Sequence, residues 1–314
     1  MTVWLFNNLQ LGPAVAAAVA LLLFSGCSIK RLAVNKLGDA LAAGGTSFAS
    51  DEDPDLIRDA APFSLKTMEA LLAESPRHVE LRRAAAAGFT QYAYAFVQME
   101  ADHLEQTDFA ASERLRERCR RLYLRARSHG LRGLEVLYPG FEAQLRAHPD
   151  AAVKRLKRSD LALVFWTGAS WAAAISQSKD RPELVGELPL VARIMDRAFE
   201  LDADWNHGAL HSFLIPFEMT RPGHPADASA RSQAHFDKAV ALSKGSLASA
   251  FVSFAESVAL PKNDRSRFEA LLEQALKIDL DQYPESRLEN TVMQGRARWL
   301  LSRMDELFVV PAKK

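Results

Sequence analysis

Residues 188–203 read Leu188-Pro189-Leu190-Val191-Ala192-Arg193-Ile194-Met195-Asp196-Arg197-Ala198-Phe199-Glu200-Leu201-Asp202-Ala203. Apolar side chains return every third or fourth position, at Leu188, Val191, Ala192, Met195, Ala198 and Phe199, the period of a helix with one apolar face. Within it a large residue, Met195, is followed three on by a small one, Ala198, and five later by a turn at Ala203. The same figure recurs at Phe236, Ala239 and Lys244, and again at Leu272, Ala275 and Leu280. The steps are 41 residues (195 to 236) and 36 residues (236 to 272). Tyr123 with Ala126, and more loosely Met68, Leu71 and Pro76, carry it in the first half at wider spacing. A small residue facing a large one lets two helices cross closely, so the figure reads as the second helix of a repeated helical pair.

Working outward, helical periodicity predicts helices over Ile29–Ala43, Leu56–Glu74, Val79–Leu104, Ala110–Gly130, Leu131–Tyr138 and Phe141–His148. It continues over Leu161–Ser178, Leu188–Leu201, Asn206–Met219, Asp227–Leu242, Ser246–Leu260, Ser266–Ile278 and Arg287–Phe308. Pro62 is expected to kink or divide its helix, and Gly130 to divide the next long one. Asp51, Glu52, Asp53 and Pro54 form a helix-start signal, with acids facing the positive end of the helix dipole. No segment alternates apolar and polar residues as a strand does. The predicted fold is all-α, built from degenerate tetratricopeptide-like helical repeats with insertions; an irregular helical bundle is the competing arrangement. Residues 27–314 are read as one such domain.

Composition excludes several classes. Lys plus Arg is 39 and Asp plus Glu is 39 in 314 residues, a net charge of zero. That balance lacks the positive field of a nucleic-acid-binding protein. Hydrophobic residues make up 48%, enough for a large core. No nucleophile elbow, phosphate loop or dinucleotide fingerprint occurs, so no catalytic residue, metal or cofactor is assigned. The two cysteines, Cys27 and Cys119, are too few for a disulfide scaffold. Cys119, in a helical run, reads as a free thiol.

Cys27 has its own explanation. Leu11 to Gly26 is an apolar Ala- and Leu-rich run, shorter than the roughly 20 residues of a membrane span, and of signal-peptide length. It ends Leu23-Phe24-Ser25-Gly26-Cys27, small residues before a cysteine, similar to a bacterial lipobox. Residues 1–26 are read as a signal peptide and Cys27 as the lipidated first residue of the mature chain; an uncleaved N-terminal anchor in the inner membrane is the other reading. Ser28, in place of an inner-membrane-retaining Asp, directs the lipoprotein to the periplasmic face of the outer membrane.

Several tracts together resemble one family. They are Cys27-Ser28-Ile29-Lys30-Arg31-Leu32-Ala33-Val34-Asn35-Lys36, Phe48-Ala49-Ser50-Asp51-Glu52-Asp53-Pro54, and Phe89-Thr90-Gln91-Tyr92-Ala93-Tyr94-Ala95-Phe96-Val97-Gln98. Further on come Phe165-Trp166-Thr167-Gly168-Ala169-Ser170-Trp171, Ala209-Leu210-His211, Ala234-His235-Phe236 and Arg296-Ala297-Arg298-Trp299-Leu300-Leu301. The chain resembles the T-component (TatT) lipoproteins of tripartite ATP-independent periplasmic (TRAP) transporters. The resemblance implies an all-α, non-enzymatic accessory protein that forms trimers with a central pore. It also implies pairing with a periplasmic solute-binding protein and delivery of a ligand, hydrophobic in character. A repeat scaffold for cell-envelope assembly is the alternative function.

The residues themselves suggest where a ligand would sit. Phe89, Tyr92 and Phe96 recur on one helix face, with Gln91, Tyr94 and Gln98 beside them. Polar-tipped aromatics suit a pocket with apolar walls and a few fixed hydrogen bonds. Trp166 and Trp171 are candidates for the same pocket. Ordinary core packing is the usual reading of such an aromatic stripe, and packing at the interhelical seam is the favoured reading of the tryptophans. His207 and His211 stand four apart, a metal-binding spacing, but no third ligand is in register, and polar helix residues are the favoured reading. The arginines from Arg114 to Arg132 are interspersed with Glu113, Glu117 and Glu135 and read as a solvated face.

Overall fold

The computed structural model describes residues 32–223 and 226–308. The signal segment, Cys27 and the first residues of the expected Ile29–Ala43 helix lie outside them. The helices in chain order are α1 (32–43), α2 (Gly45–Ala49), α3 (Pro54–Glu74), α4 (Val79–Tyr92), α5 (Met99–Leu104) and α6 (Phe109–Leu137). Then come α7 (Phe141–Ala147), α8 (Pro149–Lys154), α9 (Leu161–Ser176), α10 (Pro182–Val185), α11 (Leu188–Leu201) and α12 (Trp205–Glu218). The last are α13 (Ala228–Ser243), α14 (Ala248–Phe254), α15 (Arg265–Leu276), α16 (Arg287–Ser302) and α17 (Met304–Leu307). Among the described residues there is no strand. The protein is all-α.

Local chemistry sets the helix starts. Asp53 caps α3, its Oδ1 accepting from the amides of Asp55 and Leu56, both at 3.0 Å, which removes two of the orphan donors of a helix N-terminus. Asp108 caps α6 through Ala111 N at 2.9 Å, and Asp264 caps α15 through Arg267 N at 3.1 Å.

α3 runs through Pro62 undivided. Two other expectations are corrected. α6 runs through Gly130 as one 29-residue helix. Gly130 is needed for contact between helices: a Cβ there would collide with Thr167 Oγ1 of α9. Residues 206–208 do not begin an ordinary helix. Asn206, His207 and Gly208 hold φ of 49°, 55° and 87°, a left-handed turn that is costly for the two non-glycine residues. Gly208 lies close against the backbone of Ala239 on α13.

Long helices pack on their successors: α3 on α4, α4 on α6, α6 on α9, α9 on α11, α12 on α13, and α14 with α15 and α16. The interior divides accordingly into three apolar clusters. The first, around Leu81, Phe89 and Tyr123, spans α3 to α6. The second, around Leu134, Phe141, Trp171 and Met195, spans α6 to α12. The third, around Phe254, Phe268 and Leu272, spans α12 to α17. Each fully buried Leu or Phe in them stabilises the fold by roughly 1.5–3 kcal/mol.

The array also returns on itself. Met99 of α5 belongs to the third cluster, and Tyr94 borders both the first and the third. α16 touches α2 and α3, and Arg287 at its start reaches Glu52 at 3.9 Å. α1 is tied to the α3–α4 turn, where Ser75 Oγ donates to Asn35 Oδ1 at 2.6 Å.

Two π turns interrupt helices at this closure. Ala93–Gln98 links α4 to α5, and Ala255–Ala259 follows α14. Such turns insert a residue and loosen the local hydrogen-bond ladder, often at functional positions. α6 fastens the first one. Cys119 Sγ donates to Ala93 O at 3.4 Å, Tyr123 Oη to Gln98 Oε1 at 2.7 Å, and Ser112 Oγ to Ala101 O at 2.7 Å.

Candidate functional site

The aromatic tract divides between two faces: Phe89 and Tyr92 belong to the first cluster, with Phe96 packed against it, whereas Tyr94, about 200° round the helix from Tyr92, also borders the third. Phe89 is buried and stacks on His129 of α6, ring centroids 5.8 Å apart and nearly parallel, with the Arg125 guanidinium 5.1 Å from its face. Behind it lies an ion network. Glu69 pairs with Arg125, with Lys66 at 2.7 Å and with His129 at 3.1 Å. Burial would raise the Glu69 carboxyl, but hydrogen bonds from Arg125, Lys66 and His129 hold it at about 2. Tyr92 packs edge-tilted on Phe96 at 5.6 Å, and its oxygen accepts from Arg118 Nη2 at 3.4 Å. Gln98 is taken by Tyr123, and Gln91 is exposed. Tyr94 faces the other way, toward α16, donating its hydroxyl to Met293 Sδ at 3.7 Å.

The tryptophans of α9 occupy the second cluster, apart from Phe89 and Tyr92 in the first. Five residues apart on a helix, they point about 140° from each other. Trp171 is fully buried, and its Nε1 donates to Glu187 Oε2 at 2.8 Å. Arg127 lies 5.0 Å above its ring and pairs with Glu187 at 2.7 Å. Burial would raise the Glu187 carboxyl; bonds from Arg146 and Trp171 and the nearby Arg127 bring it below its ordinary value. Trp166 is half-buried and meets Phe165 edge-on at 5.1 Å. Five arginines of α6, Arg116, Arg120, Arg121, Arg125 and Arg127, pair with carboxylates.

His207 does not stand one helical turn below His211, because the left-handed turn intervenes. The partner of His211 is His235 of α13, with Nδ1 atoms 2.9 Å apart. Phe199 meets both rings edge-on, at 5.2 and 5.7 Å. Burial lowers both imidazoles, and with His211, Arg221 and Arg231 nearby His235 falls to about 4. The pair is therefore neutral at pH 7. Cys119 is buried, which pushes its thiol up to about 12, so it carries no thiolate for chemistry.

The most connected polar group at the closure was not singled out by sequence as a site. Arg296 of α16 donates Nε and Nη2 to Glu256, at 3.0 and 2.6 Å, and Nη1 to Asp102 Oδ2 at 2.7 Å. It thus joins α5, the second π turn and α16. Trp299 lies between Arg296 and Arg303, at 5.1 and 4.7 Å, and against His103 at 4.9 Å. The sequence signal was the Arg-x-Arg-Trp run at 296–299. Helical periodicity marks it as a face but cannot say that Asp102, 194 residues away, lies opposite.

Compared with known proteins, residues 50–308 match the family described as TRAP transporter T-component. The chain belongs to the TRAP transporter T-component family. It is also similar to an uncharacterized protein of Treponema pallidum (strain Nichols), 29% identical over 313 residues, covering 93% of this chain and 96% of that protein. Membership gives this T-component an accessory role in a TRAP transport system. Its match spans all three apolar clusters and both π turns, so the array, the closure and the Arg296 junction all lie within the family's region.

Proposed function

We propose that the chain is a periplasmic lipoprotein, anchored through Cys27 to the outer membrane, that acts as a non-catalytic T-component. In this reading it binds the periplasmic solute-binding protein of its TRAP system, carries a small hydrophobic ligand for it, and assembles as a homotrimer. The observation that carries the proposal is the family match across residues 50–308. The lipobox-like Leu23–Cys27 segment supports the anchor. The tetratricopeptide-like pairing read from the sequence, in an all-α chain whose long helices pack on their successors, supports partner binding, since stacked pairs create extended concave surfaces.

Affinity purification of the tagged chain from envelope extracts is expected to recover a solute-binding protein. Recovery of envelope-assembly proteins in its place would replace the transport reading with the scaffold reading. Cys27→Ser is expected to abolish lipid labelling and release the protein from the membrane fraction; unchanged fractionation would remove the Cys27 anchor.

A further inference from the structure

α1 is held to the body largely through polar contacts and turns an apolar side outward. Ser75 Oγ donates to Asn35 Oδ1 at 2.6 Å, and His78 Nε2 lies 3.1 Å from Asn35 O and 3.3 Å from Asp39 Oδ1. Arg83 Nη2 donates to Ala42 O at 3.5 Å, and Leu41 packs against the first cluster. Gly38 is what lets His78 in, since a Cβ there would come within 2.8 Å of its Nε2. On the opposite side Leu32, Ala33, Lys36, Leu37, Ala40 and Ala43 are all exposed, Leu32 by 60% and Leu37 by 51%. At 3.6 residues per turn they fill one arc of roughly 140°. Lys36 is the only charge among the six.

Leu56 and Phe63 of α3 are exposed as well. What singles out α1 is its place in the chain. Four residues, 28–31, separate it from Cys27. Fully extended, that stretch lets Leu32 stand at most about 18 Å from Cys27. α1 has twelve residues, so it is itself about 18 Å long. The headgroup layer of one leaflet is roughly 5–8 Å deep. With Cys27 acylated, the tether therefore keeps the apolar arc beside a surface that can bury it.

Charge favours the same surface. Lys30, Arg31 and Lys36 follow Cys27, and no acid occurs before Asp39. Bases next to a lipid anchor are drawn to anionic headgroups. Lys36 can lay its stem along the apolar arc and keep its ammonium among the headgroups. An apolar arc with basic residues beside it is the pattern of a helix that lies in the plane of the interface.

We propose that the outward face of α1 docks on the bilayer that holds the Cys27 lipid, with Leu32 and Leu37 toward the acyl chains and Lys36 on anionic headgroups. The bilayer then orients the helical body, to which α1 is tied through Ser75 and His78. This rests on the Cys27 anchor proposed above and adds a surface contact to it.

Spin labelling of the full lipidated chain, in vesicles of phosphatidylcholine and phosphatidylglycerol, tests it. Cys27 carries the lipid and Cys119 is buried, so the label goes to an introduced cysteine alone. The reference label is at Lys154→Cys on α8, which packs on α7 and α11. Labels at Ala33→Cys and Ala40→Cys are expected to be shielded from an aqueous nickel chelate roughly threefold relative to the reference, as for a helix lying in the interface. Leu32→Ser with Leu37→Ser, both exposed, is expected to abolish that shielding while the chain still floats with the vesicles. Labels at 33 and 40 as accessible as the reference, on chain that floats, would overturn the docking and leave the anchor standing. Shielding that survives the double substitution would do the same. Shielding with spin–spin broadening that fades on dilution with unlabelled chain would assign the face to a second copy and overturn the docking too. A mass spectrum showing Cys27 without lipid, in chain that does not float, would overturn both.

Discussion

The two π turns at the closure are built alike and held differently. The first, Ala93–Gln98, is fastened by neutral donors from one neighbouring helix: Cys119, Tyr123 and, just beyond the turn, Ser112. The second, Ala255–Ala259, is held at Glu256 by one charged side chain, Arg296, which also grips Asp102 beyond the first turn. A neutral hydrogen bond contributes about 1 kcal/mol and fails alone. A shared guanidinium fails with everything it joins. The difference teaches that the first turn is locally secured, whereas the junction between the two ends of the array depends on one residue.

Removing that residue is the strongest way to break the comparison. Arg296→Ala leaves Glu256 and Asp102 facing each other without it. The expected loss is about 3 kcal/mol, the low end for breaking a buried pair, because Glu256 retains some exposure. Urea unfolding measures it, and a loss below about 1 kcal/mol would show that the closure does not hang on Arg296.

Acid sharpens the contrast between the two halves. His235 sits at about 4 in the folded chain, against an ordinary 6.5. The unfolded chain therefore takes up the proton first as pH falls. The stability this group contributes is complete above about 6.5 and is lost progressively down to about 4. Glu69 in the first half is held at about 2 against 4.5, so its contribution is complete above 4.5 and lost only below that. His129 and His103 are also depressed, by burial, but less. Amide exchange at pH 5 relative to pH 7 is expected to rise most in α12 and α13, which carry the histidine pair. A larger rise in α3 and α4 would reverse the assignment.

The smallest effect lies at the first turn. Tyr123→Phe removes the bond to Gln98 and keeps the ring. A loss of about 1 kcal/mol is expected in the same urea assay. A loss rivalling that of Arg296→Ala would mean that the two turns are equally exposed to single substitutions.

The sequence made the helices legible because helical periodicity is local. The acids at 51–53 signalled the start of α3, and Asp53 caps it. Local rules misjudged Gly130. A glycine scores as a helix breaker, yet here a neighbour, Thr167, demands the missing Cβ. The candidate residues were legible as residue types but not as a site. Phe89, Tyr92 and Phe96 share a helical stripe, whereas Tyr94 lies about 200° from Tyr92 and reaches Met293 of α16; the stripe alone does not name that partner. Nothing in the periodicity of 89–98 announces the π turn at Ala93–Gln98.

Most helix positions, the all-α class and the family were therefore written in local sequence. Hydrophobic spacing and capping act within a few residues, and the family signal is the sum of such short tracts. What only the tertiary structure decided was which polar groups meet. Arg296 reaches Asp102, and Tyr94 reaches Met293 199 residues away, because the succession of helices curves back until α16 lies against α2 and α3. That curvature is the accumulated outcome of every helix–helix contact along the chain. No short stretch of sequence contains it.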